Sequence, residues 1–228
     1  MQQLAERLYK KNLETMKSIV LSCLLMLGGS FAMAQNAKAL LDEVSAKVRS
    51  YDNIVIDFKY SLENSKQGVS QDTRGDVTLE GDKYQLNMLG STRMSDGKMV
   101  YTIVPEDEEV TISSVNSQEE AGITPSEMLT FYENGYTYKM DIVQNVKGRK
   151  IQFVKLTPID SNAEIKDILL GIDSMTKHIY KLIQTDEAGT KYTITVNSFK
   201  TNQPISKTLF SFDEPKYKED GYYINRLN

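Results

Sequence analysis

The feature that most constrains this chain is a change of hydrophobic period near residue 52. Before it, "AKALLDEVSAKVRSY" (residues 37–51) carries Leu40, Leu41, Val44 and Val48, a spacing that predicts one amphipathic helix. After it, Ile54, Ile56, Phe58, Tyr60 and Leu62 alternate with Val55, Asp57, Lys59 and Ser61. Successive side chains of a strand point to opposite faces, so a period of two predicts a strand with one buried face. Most of the remaining chain repeats this pattern in short runs: "DVTLEG", "YQLNML", "MVYTIV", "EVTISSV", "YTYKMDIVQNV", "KIQFVKLTP", "IKDILLGID", "HIYKLIQTDE" and "KYTITVNSF". Turn residues separate them, among them Glu80-Gly81-Asp82, Ser95-Asp96-Gly97, Lys147-Gly148 and Glu187-Ala188-Gly189. Strands at this spacing with tight turns predict an antiparallel meander.

One stretch departs from the alternation. In "GITPSEMLTFYENGY", Thr124 is a cap residue, Pro125 stands at a first helical position, Glu127 is an acid in the first turn and Asn134-Gly135 is a stop. These predict a short helix carrying Met128, Leu129 and Tyr132. A meander of about ten strands twists and curls, giving a concave and a convex face. Several strands, "MVYTIV" and "ILLGI" among them, are apolar on both faces. The inner surface is then apolar throughout, and either the helices or a ligand must fill it.

The N-terminal region reads as an export signal. "MKSIVLSCLLMLGGSFAMAQ" begins at Met16 with Lys17 as a minimal basic region. It continues with an apolar stretch from Ile19 to Leu27 and ends at Ala32-Met33-Ala34, an A-x-A cleavage pattern, while being too short to span a membrane. Cleavage after Ala34 would leave residues 35–228 as one domain, and either Met1 or Met16 is the start. Cys23, the one cysteine, lies inside this signal; the apolar run continues past it, where a lipidation box would end. The mature chain therefore holds no cysteine and depends on packing alone. Losing four basic and two acidic residues from 27 and 31 leaves 23 against 29, a net charge of −6. That balance argues against nucleic acid or an anionic membrane as a partner.

No constellation for catalysis is visible. His178 is the one histidine, opening a strand, and nothing else marks a triad. The run Glu106 to Glu109 lacks the spaced oxygens and glycine of a calcium loop and reads as a solvated turn. There is no phosphate-binding glycine loop, and no metal or cofactor is expected. Met88, Met94, Met99, Met128 and Met140 lie in or beside the apolar strands and the short helix, and methionine adapts to irregular partners.

The segments "GDVTLEGDKYQLNM", "SDGKMVYTIVP", "EVTI", "TPSEMLTFY", "KLTP", "IDSMTKHIYKL" and "FSFDEP" occur in an order that resembles the periplasmic outer-membrane lipoprotein carrier family, LolA. The resemblance covers nearly all of the mature chain. It implies an incomplete, strongly curved antiparallel β-barrel of about ten or eleven strands. An N-terminal helix and a short lid helix would close it over an apolar cavity. It implies a monomeric periplasmic chaperone that performs no covalent chemistry. Such a carrier takes acylated lipoproteins from an inner-membrane exporter and delivers them to an outer-membrane acceptor. A lipid- or lipoprotein-binding sensor on the same fold is the alternative. Carried over residue by residue, the cavity wall would comprise Ile54, Ile56, Phe58, Tyr84, Leu86, Met88, Met99, Tyr101, Ile103 and Met140. Met128, Leu129 and Tyr132 would form the lid, and Val100 and Val104 would pack outward. One departure stands out: the family's lid-latching arginine is missing from the turn Glu80-Gly81-Asp82, so either Lys83 substitutes for it, or the lid is held differently, or this chain carries something else.

Overall fold

The structure, a computed structural model, describes residues 35–117 and 124–227. The signal-peptide reading of residues 1–34 and the choice of start codon fall outside the described residues. The amphipathic segment forms helix α1 (residues 35–49). Its apolar stripe is fully buried at Ala37, Leu41 and Val44, while Lys38 and Asp42 pair one turn apart on the solvent side.

Six strands follow: β1 (Ile54–Asn64), β2 (Val69–Glu80), β3 (Lys83–Met88), β4 (Ser91–Ser95), β5 (Met99–Val104) and β6 (Glu109–Ser114). After the lid region come β7 (Tyr136–Val146), β8 (Arg149–Pro158), β9 (Ile165–Asp173), β10 (Ile179–Asp186) and β11 (Lys191–Thr201). A short helix α2 (Glu214–Glu219) and strand β12 (Tyr223–Arg226) end the chain. The twelve strands of the described residues form one open sheet in the order β12-β6-β5-β4-β3-β2-β1-β11-β10-β9-β8-β7. Neighbours are antiparallel except β12, which runs parallel to β6.

Two strands exceed the ten that alternation predicts. β4, "STRMS", and β12, "YINR", are short and mostly polar, so periodicity cannot find them. Tight turns sit where glycine predicts them. Lys147 and Gly148 both have positive φ (49° and 80°), the two-residue hairpin geometry that matches strand twist. At Ser95-Asp96-Gly97 the Asp96 carboxylate accepts from the amides of Lys98 and Met99, both at 2.8 Å, which fixes the entry into β5.

The described residues form two apolar clusters on opposite faces of the sheet. The main one joins α1 and the lid to inward residues of β1–β3 and β8–β10. The second is smaller: Ile103, Val110 and Ile112 pack against Phe212, Tyr217, Tyr222 and Ile224 from the C-terminal segment. Its aromatic rings form a continuous row, with Tyr101 stacked on Phe212 at 4.6 Å and Phe212 on Tyr217 at 5.1 Å.

Candidate functional site

The inner face of β1, β2, β3, β10 and β11 and the underside of the lid line a partly open cavity of about 280 Å³. Pairing explains which residues reach it, because directly opposed residues of neighbouring strands share a face. Ile56 pairs with Val77, and Val77 with Leu86, giving one row across three strands. On the other side Tyr60 pairs with Ile194, and Ile194 with Leu182. The register between β1 and β11 shifts between Asp57 and Phe58, so that Phe58 opposes Val196 while Ile56 opposes Phe199. This bulge turns both Val196 and Phe199 inward although they are three residues apart. Among the described lining residues only Tyr60 carries a nitrogen or oxygen on its side chain.

The lid spans 124–135. Thr124 and Glu127 cap it reciprocally: the Thr124 amide donates to the Glu127 carboxylate at 2.8 Å and the Glu127 amide to the Thr124 hydroxyl at 3.3 Å. The predicted short helix is instead two separate 3-10 turns, Glu127–Leu129 and Phe131–Glu133. They are broken at Thr130, whose φ of −137° is not helical. Gly135 closes the segment at φ 83°.

The latch is built from α1 and β7. Tyr132 is fully buried; its hydroxyl accepts from Ser45 Oγ at 3.1 Å and its carbonyl accepts from the Tyr138 hydroxyl at 2.7 Å. Burial pushes the Tyr132 phenol up to about 12. The Arg49 guanidinium pairs with Glu133 and, chiefly through that hydrogen bond, holds its carboxyl below the usual range. Lys83 lies 3.5 Å from Glu80 within its own hairpin, so the arginine's expected substitute does not serve the lid.

The sequence-derived cavity residues divide into three groups. Ile56, Phe58, Leu86, Met88, Met128 and Leu129 line the cavity. Ile54, Tyr84, Tyr132 and Met140 belong to the surrounding apolar core without lining it. Met99, Tyr101 and Ile103 must be corrected: they lie on the opposite face, in or against the second core. The row from Ile56 through Val77 and Leu86 continues to Arg93 and Thr102, so Thr102, not Tyr101, shares the cavity face. Val100, expected outward, pairs with Ser95 on the Tyr84 side and is buried there. The unrecognised strand β4 lies between β3 and β5, and one unplaced strand is enough to reverse the parity.

The residues missed are mainly Val77, Leu79, Ile179, Leu182, Ile194, Val196 and Phe199. Their alternation was visible, but their partnership with β1 depends on long-range pairing. His178 ties the segment that follows α1 to the sheet. It shares a hydrogen bond with the Tyr51 hydroxyl at 2.8 Å and stacks on Phe199 at 4.1 Å. Burial, with Lys47 nearby, lowers its pKa below the usual histidine value, and Asp173 opposes this. Among the described residues no helix is long and apolar enough to cross a membrane.

Solved structures share this architecture at low identity, and that likeness speaks to the fold alone. An uncharacterized conserved protein from Thermus thermophilus superposes with a TM-score of 0.53 and 10% identity, covering 84% of this chain and 99% of that one. A LolA superfamily protein from Nitrosomonas europaea gives 0.43 and 13%, covering 78% and 98%. LprF from Mycobacterium bovis gives 0.48 and 13%, covering 75% and 95%. No curated protein sequence matches. The family model described as outer membrane lipoprotein carrier protein LolA matches residues 49–213, most of the chain and nearly all of its sheet, and the chain belongs to that family.

Proposed function

We propose that this protein is a periplasmic carrier that shelters acyl chains of lipoproteins in the cavity while they cross between membranes, working as a single domain from Gln35 onward. The observation that carries this reading is the wall itself: a pocket of about 280 Å³ in which, among the described lining residues, Tyr60 alone bears a side-chain nitrogen or oxygen. An empty apolar space of that size forgoes contacts that a close-packed core would make, and a hydrocarbon chain restores them. Exposing such a chain to water costs about 0.8 kcal/mol per methylene, so a sixteen-carbon chain resists unaided transfer by on the order of 12 kcal/mol. Shielding that surface lets the chain cross at a useful rate, and no bond need be made or broken. Delivery requires release, and a lid of two 3-10 turns on a twelve-stranded sheet is the local element that can give way.

Depletion in the parent organism, followed by membrane fractionation, tests the role. A carrier's loss strands acylated lipoproteins in the inner membrane. Unchanged lipoprotein distribution with an altered envelope stress response would replace the carrier with a sensor on the same fold.

A further inference from the structure

The size and chemistry of the cavity restrict what fits it. An apolar cavity of about 150 Å³ accommodates one benzene, six carbons. By that scale the 280 Å³ found here seats about eleven carbons. Two chains lying side by side would need roughly twice that space. The wall also offers nothing to a polar head. Among the described lining residues none is charged, and an ionised head seated against them would lose its hydration without a partner. Phe58 fixes one boundary. Its ring lies over Gly75, where an added Cβ would come within 2.6 Å of it, so the ring is seated as close to the sheet as the backbone permits. The lid fixes another, through Met128 and Leu129.

We propose that the cavity, open at its mouth, is a single-chain ruler: it takes one saturated acyl chain to a depth of about eleven carbons, with the head group and any further chains left outside. This rests on the reading above that the cavity holds hydrocarbon, and it names the ligand class that the cavity accepts with the lid docked, a single-chain amphiphile. A ligand with two or three chains can place only one of them inside until the lid moves.

The test is a competition titration of the mature protein against a fluorescent acyl probe, using saturated fatty acids of eight to sixteen carbons below their micellar concentrations. Affinity should rise about fourfold per added carbon, the equivalent of 0.8 kcal/mol per methylene, and then flatten near eleven to twelve. Ile194→Ala removes three carbons from the wall and should move the break outward by up to three carbons. Leu182→Ala provides a second such variant should the first fail to fold. A diacyl phospholipid with two ten-carbon chains, a sum of twenty, should bind no more tightly than a single ten-carbon chain. An unbroken rise through sixteen carbons, or a second chain that adds its own affinity, overturns the ruler and leaves the hydrocarbon reading intact. Failure of every chain to bind overturns both. Equal breaks in wild type and in a folded wall variant would show that the limit lies elsewhere than in this cavity, which also overturns the ruler.

Discussion

Replacing Leu129 with aspartate separates the lid's work from the sheet's. Leu129 is 8% exposed, ends the first 3-10 turn and contributes to the cavity wall. Its removal forfeits about 1.5–3 kcal/mol of burial. An ionised carboxylate held in that position would cost several kcal/mol more in lost hydration. The lid therefore undocks rather than carrying the charge inward. Undocking removes Pro125, Met128 and Leu129, three of the fifteen lining residues. An eleven-carbon chain gains about 9 kcal/mol on burial. A fifth of that, about 2 kcal/mol, corresponds to at least ~20-fold weaker binding. The sheet should survive, because its ladder does not pass through 124–135. The assay pairs titration of an acyl probe with far-UV circular dichroism and a urea midpoint. Affinity within twofold of wild type would refute the lid's part in the wall. Loss of the strand signal would refute the lid's independence from the sheet.

Tyr101→Ala should break the aromatic row on the outer face and lower stability by about 2 kcal/mol, with acyl-probe affinity unchanged; reduced affinity in a folded variant would return Tyr101 to the cavity. The Tyr132 phenol is pushed up to about 12 from an unfolded value near 10, so its contribution is complete below pH 10 and is lost as pH rises toward 12; Tyr132→Phe should flatten that part of the stability curve in alkaline urea titrations. His178 is lowered instead, so the unfolded chain takes up a proton first as pH falls below 6.5, and stability declines from there downward. His178→Gln should remove that acid-side slope, and a slope that persists would assign it to other groups. Arg49→Ala should cost less than ~1 kcal/mol, as exposed ion pairs do, whereas Ser45→Val should cost more by leaving the buried Tyr132 hydroxyl without its donor; the opposite ranking in urea midpoints would reverse their roles in the latch.

Local signals carried much of this architecture. The switch from Leu40, Leu41, Val44 and Val48 to the alternation beginning at Ile54 marked the end of α1 and the start of β1. Thr124, Pro125 and Glu127 marked the lid, and the reciprocal capping bonds form as their types predict. Local signals do not say which face of a distant strand looks inward. Met99, Tyr101 and Ile103 were misassigned because β5 is apolar on both faces for two reasons: one side belongs to the interior, the other lies under the C-terminal segment. Nothing within "MVYTIV" distinguishes the two. Phe199 escaped because a bulge at the β1–β11 pairing changes parity inside a strand, an event without a clear residue signature. The lid's fastening to α1 was equally hidden, since Ser45 and Tyr132 lie 87 residues apart.

A carrier of this kind must hold hydrocarbon in the space between the sheet and its lid. Crystals of the mature protein grown with 12-bromododecanoic acid place a heavy atom on the chain's methyl end, where anomalous scattering locates it without interpretation of weak density. One peak is expected inside the wall formed by Ile56, Val77, Leu182 and Val196. A peak on the outer face beside Phe212, or an interior that stays empty at saturating ligand, would contradict the carrier role.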